Sequence, residues 1–228
     1  MLDSINQLFY IHEQINVLYL FTVQEVTMKY FRKLIGEKCY LSPVSIEDAE
    51  KYTEWVNDLE IGQFVLFSAG VYDLDKERDL LKHLMINSTI FAIIEKDTNK
   101  VIGNCGLHMI NEIHRRAVFG IFIGEKTYWN QGIGAEATAL TLDYGFNILN
   151  LNNISLEVVA YNHRAVSCYK KVGFKLVGTL RKYAFMAGQY HDVYLYDVLA
   201  EEFESPYVKK IFDRSIADDA GRSKITIV

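Results

Sequence analysis

Four positions in this sequence offer chemistry through their type and spacing. Tyr169 carries a phenol, and Asn162, seven positions earlier, carries an amide. Gly132 and Gly134, one residue apart in YWNQGIGAEA (128–137), offer bare main chain. If Asn162 caps a helix that contains Tyr169, the spacing of nearly two turns sets both on one helix face. Ala165 and Val166 keep that face narrow between them. Taken singly, the amide also reads as a plain cap and the phenol as a core tyrosine. The glycines open a long apolar-periodic segment, and glycine is costly inside a helix. A strand, a glycine loop and a helix start together present unpaired N–H groups and a favourable dipole to an anion such as phosphate. Two glycines alone equally describe a tight strand-to-helix turn. The loop is neither GxxxxGK[ST] nor GxGxxG, because no lysine follows and the third glycine is missing.

The elements that must hold these residues are legible around them. Lys38–Val44 alternates like a strand, and Ser45 with Asp48 can cap a helix running to about Val56. A second helix is expected over Asp75–Met85. Thr89–Glu95 and Lys100–Ile110 read as strands joined by a hairpin at KDTN, and Arg116–Gly124 as the next strand. From Gly132 to about Leu149 an apolar stripe of Ile133, Ala137, Leu140, Tyr144 and Ile148 predicts a helix facing a sheet. Asn153–Ala160 alternates as a strand. His163–Lys171 follows as a helix that Gly173 stops, and two closing strands flank the turn AGQ. Strands alternating with helices and ending in a hairpin give a mixed α/β domain.

Composition narrows the class. The chain has 228 residues, half of them hydrophobic, and a net charge of −5, without the basic excess of a nucleic-acid binder. Cys39, Cys105 and Cys168 form no CxxC pair and no complete disulfide set, which points to a reducing cytoplasm. The apolar run Ile15–Val23 is too short to span a membrane and lacks the flanks of a signal peptide. We divide the chain into an extension (1–27), a domain (28–204) and a tail without a readable motif (205–228). The extension is an added helix or strand, or the domain simply begins near Met28.

The loop YWNQGIGAEA, the segment YNHRAVSCYKKVGF (161–174) and the ending GTLRKYAFMAGQYHDVYLYDVL (178–199) together resemble the GNAT superfamily of N-acetyltransferases. More narrowly they resemble its RimJ/RimL-like branch, over roughly residues 38–202. The resemblance implies a mostly antiparallel central sheet with one splayed strand pair, flanked by helices. It implies acetyl-CoA as co-substrate, a primary amine as acceptor and direct attack in a ternary complex, with no metal and with a homodimer as a possible assembly. By the same resemblance Asn130, Gln131, Gly132, Ile133, Gly134 and Ala135 wrap the coenzyme diphosphate. Phe122 and Ile123 lie on the strand that splays from Asn153–Ala160, where the pantetheine arm inserts. Asn162 contacts that arm, and Tyr169 gives a proton to the departing thiolate. The chemistry agrees, since a phenol of pKa about 10 can protonate a thiolate of pKa about 8.5, while N–H groups of the splayed strand steady the oxyanion.

Two departures matter. Trp129 stands where many relatives place Gln or Arg; Trp is common there in the narrower branch, and the loop itself then brings no cation to the phosphates. Val118 stands where many relatives carry a glutamate base, which leaves His108, Glu112 and His114 as nearby candidates. A site without a strong base suits a peptide α-amine, with pKa near 8, better than a lysine-like amine near 10.4. The acidic net charge and Tyr144–Val158 keep a polyamine acceptor in view, although IGQFVLFSAGVYD (61–73) has no carboxylate cluster to hold a polycation. A non-catalytic acyl-CoA sensor is the reading from another class, which the missing acid favours and Tyr169 opposes.

Overall fold

β-branched and aromatic runs pair into a single eight-stranded sheet in the computed structural model, which describes residues 29–65 and 70–222. In chain order the elements are β1 (Leu34–Ile35), β2 (Cys39–Pro43), α1 (Ala49–Asn57), α2 (Leu59–Gly62), α3 (Leu74–Asn87), β3 (Thr89–Glu95), β4 (Val101–Asn111) and β5 (Arg116–Ile123). There follow α4 (Ile133–Asn147), β6 (Asn153–Val159), α5 (His163–Val172), β7 (Lys175–Met186), β8 (Gln189–Leu199) and α6 (Val208–Arg222). The strands lie in the order β1-β2-β3-β4-β5-β6-β8-β7. Neighbours are antiparallel except β5 and β6, which run parallel.

Alternation along the strands divides the core between two faces. On one face Leu41, Phe91, Ile93, Leu107 and Phe119 pack with Ile133, Ala137 and Leu140 of α4 and Tyr169 of α5. On the other, Tyr40, Ala92 and Ile94 pack with Tyr52 and Trp55 of α1 and Leu81 of α3. The expected stripe on α4 holds through Leu140, but Tyr144 is only half-buried, and Ile148 is exposed because the helix ends at Asn147.

The start of α1 differs from the capping expected of Ser45 and Asp48. The Ser45 hydroxyl accepts from the Glu47 N–H and caps a short 3₁₀ turn, Ile46–Asp48. Asp48 makes no cap. It is buried and accepts from Lys29 Nζ and Tyr30 Oη instead. Residues 205–222, where no motif was legible, dock by their start: Ser205 Oγ and the Tyr207 and Val208 N–H groups all donate to the buried Asp143 carboxylate of α4. Residues 1–27 lie outside the described residues. Among those described, all three cysteines are free thiols, and no helix is long and apolar enough to cross a membrane.

Candidate active site

The parallel pair is where the sheet opens. β5 and β6 are paired only at Arg116, Ala117 and Val118, facing Asn153, Ile154 and Ser155. Beyond Val118 the strands part: β5 continues paired to β4 alone as far as Ile123, and β6 to β8 as far as Val159. The Gly124 N–H donates to Ile102 O on β4, at 2.9 Å, so alternation turns the N–H groups of Ile121 and Ile123 toward the gap. On the other bank the Ala160 N–H donates to Asp192 O on the β8 side, at 2.8 Å, which turns the N–H groups of Glu157 and Val159 inward. Phe122, expected beside Ile123 among the cofactor contacts, has its main chain directed at β4 by the same alternation. Its ring packs edge-on against Tyr52 and Trp55 and serves as wall.

At the open end of the gap a 3₁₀ turn (Lys126–Tyr128) leads into the glycine loop. Asn130 and Gly132 both adopt left-handed backbone, with φ of 63° and 81°, so the chain reverses tightly into the first turn of α4. Gly132 is the N-cap and provides no side chain to satisfy the N–H groups of that turn. A Cβ on Gly134 would find its nearest neighbour 4.0 Å away at Ile123 Cγ1, so the space over this turn is open toward the end of β5. Asn130, Gln131, Ile133 and Ala135 flank the same turn. These bare N–H groups at a helix start fit a diphosphate. The indole of Trp129 folds back and donates to Ile123 O at 2.8 Å, and the Arg164 guanidinium stacks on that indole, 3.8 Å from the ring centroid.

Asn162 caps α5, its side-chain oxygen accepting from the Ala165 N–H at 3.1 Å. Tyr169 is buried on the same helix, edge-on to Phe119 with centroids 6.3 Å apart and against Phe174 at 5.7 Å. Phe119 is the first β5 residue past the last β5–β6 pair, so the phenol sits against the fork. Burial pushes the Tyr169 hydroxyl pKa well up from its ordinary value, and the hydroxyl donates to no other described residue. The phenol is neutral and is held in an apolar wall.

The three candidates for a base separate cleanly. Glu112 and His114 lie in the exposed turn after β4, at the closed end of the β5–β6 pair, where Glu112 lines a cavity of about 430 Å³ with Arg115 and Leu149. His108 lies directly across from Val118 on the neighbouring strand. Its ring is half-buried, with Nδ1 3.0 Å from Ser88 Oγ and Nε2 3.3 Å from where a Cβ on Gly120 would stand. Burial holds its pKa below the usual histidine value, so the imidazole is neutral at pH 7. The register that singles out His108 was not available from spacing alone.

The comparisons with known proteins agree with this geometry. The acetyltransferase (GNAT) domain family matches residues 38–175. The uncharacterized N-acetyltransferase p20 of Bacillus licheniformis is 32% identical over 177 residues, 75% of this chain and 97% of that protein. Spermidine N(1)-acetyltransferase of Escherichia coli K12 is 38% identical over 111 residues, 49% of this chain and 59% of that enzyme. The structure of spermidine N-acetyltransferase from Vibrio cholerae, in complex with CoA and spermine, superposes with a TM-score of 0.67 at 27% identity, covering 73% of this chain and 98% of that one. Forked sheet, glycine loop and family match point the same way: this chain belongs to the GNAT family and is an acetyl-CoA-dependent N-acetyltransferase.

Proposed function

We propose that the chain acetylates the primary amine of a small polyamine, with the β5–β6 gap taking the pantetheine arm and the loop 130–135 the diphosphate. The fork carries this reading, because its two banks offer main-chain N–H groups between a helix start and a buried phenol. Ile121 and Ile123 contribute N–H groups along the arm, and those nearest the thioester steady the oxyanion. Asn162 keeps its amide nitrogen for the arm while its oxygen caps α5. Tyr169 gives a proton to the leaving sulfur. His108, on the face covered by α1 and α3, accepts the proton of the incoming amine in place of the carboxylate that Val118 cannot supply.

Two observations favour a polyamine. Relatives of this chain include proteins named as spermidine acetyltransferases. A neutral imidazole at His108 also removes the main objection to an amine of high pKa. The peptide α-amine is the second reading, favoured by Val118 and by the RimJ/RimL-like features of Trp129 and the 178–199 ending. A CoA-release assay with spermidine, spermine and α-amino peptides separates them. Turnover of the polyamines at the higher kcat/KM is expected, and turnover of the peptides alone would overturn the first reading. Isothermal titration with CoA tests the site itself. Gly134→Glu, which sets a carboxylate over the helix start without a backbone clash, should abolish binding. Gly132→Glu is the poorer probe, because its left-handed φ of 81° strains any side chain.

A further inference from the structure

The loop 130–135 brings no cation of its own, yet a lysine reaches it from the other end of the domain. Lys38 lies in the turn between β1 and β2, and its ammonium donates to the Gln131 carbonyl at 2.6 Å across 93 positions of sequence. The same nitrogen lies 3.2 Å from the point a Cβ on Gly132 would occupy. It therefore hangs over the helix start on the side that the missing side chain leaves open. Among the described residues Lys38 forms no ion pair with a carboxylate.

The placement is built by α4 itself. Glu136, in the first turn of that helix, accepts from the N–H groups of Glu37, Lys38 and Cys39 at 2.6, 2.9 and 2.9 Å. Burial would raise the pKa of this carboxyl, but the three N–H donors outweigh it and hold the group below its ordinary value. With its oxygens on the turn's main chain, Glu136 fixes the β1–β2 turn against the helix and leaves the Lys38 ammonium without a counter-ion. An ammonium held beside bare N–H groups at a helix start, with one donor on a carbonyl, has two donors still to satisfy.

We propose that Lys38 is a diphosphate-binding residue of the coenzyme site and supplies the positive charge that Trp129 and Gln131 do not. The proposal rests on the reading of the loop 130–135 as the diphosphate cradle. It assigns to the β1–β2 hairpin, at the sheet's far edge from β7, a share in holding the co-substrate.

The test uses ligands that differ in phosphate. Binding of CoA and of dephospho-CoA, which lacks the 3′-phosphate, is measured by titration calorimetry with the full-length chain, Lys38→Gln and Lys38→Arg. Turnover of S-acetylpantetheine, which has no diphosphate, is measured alongside. Lys38→Gln should weaken CoA and dephospho-CoA alike, about tenfold, and flatten the salt dependence of both. Lys38→Arg should keep most of the affinity, and kcat/KM for S-acetylpantetheine should not change. No loss of affinity in Lys38→Gln overturns the proposal, as does a loss confined to CoA, which would place the lysine on the 3′-phosphate. An equal fall in S-acetylpantetheine turnover, with a lowered Tm, would show that the lysine only braces the loop. Gly134→Glu keeps the two readings apart. If that variant still binds CoA, the cradle itself is wrong, whereas if only Lys38→Gln is silent, the cradle stands and the lysine is outside it.

Discussion

Tyr169 is held by Phe119 and Phe174 in a setting that favours its neutral form, and this determines what its removal should do. Tyr169→Phe keeps the packing and deletes the proton. The kcat should fall by roughly 10²-fold or more while the CoA dissociation constant stays within about twofold, as general-acid loss requires. Equal turnover in stopped-flow and steady-state assays would remove the donor role. His108 makes a second prediction at this scale. A base whose pKa is depressed by burial protonates only on the acid side of about 6.5, so kcat/KM should decline as pH falls below that value. His108→Gln should lower the plateau and flatten the acid limb, whereas an unchanged profile would assign that limb elsewhere. Of these residues, the glycine pair and the Asn162–Tyr169 spacing were legible because each lies within one turn or one helix. His108 was legible only as one of three candidates, because choosing among them depends on cross-strand register, and Lys38 was not legible at all, because its contact spans 93 positions.

Elements divide into those that position the site and those that carry a cost. Glu77 on α3 is buried with one carboxyl oxygen unpartnered, and burial raises its pKa to about 7. The folded state thus binds a proton that the unfolded chain, with a carboxyl near 4.5, releases. Stability should therefore fall as pH rises from about 4.5 to 7 on account of this group. Glu77→Gln should raise the unfolding free energy at pH 8 by on the order of 2–3 kcal/mol and change it little at pH 4. Urea titrations at the two pH values check this, and a pH-independent effect would contradict it. Asp143 shows the opposite case, a buried carboxylate whose oxygens are fully occupied by Asn147, Ser205, Tyr207 and Val208. Asp143→Ala should cost about 3 kcal/mol and expose the chain after residue 204 to proteolysis, because it strands buried donors. The docking of α6 was illegible in advance because its polar anchor is a single distant acid and only Val208, at its start, enters the core. The helix's own Ile211, Phe212 and Ile216 are exposed and advertise no core.

For the whole molecule, the mixed α/β class and the closing hairpin were legible in the alternation and the splayed pair was implied by the resemblance, whereas the strand order was not legible because it depends on pairings between distant strands. What the sequence could not signal was that the phenol and the imidazole lie on opposite faces of the sheet. Saturating CoA should raise Tm by several degrees, in line with ligand linkage, and the gain should shrink in Gly134→Glu. The fork also sets up a dynamic signature. Its two banks are inward-facing strand edges in the middle of a sheet, so the amides of Ile121, Ile123, Glu157 and Val159 have no ladder partner among the described residues. Deuterium should enter these sites quickly in the free protein while their neighbours on the same strands stay closed, and the coenzyme should slow them selectively, as a missing strand would on taking its place.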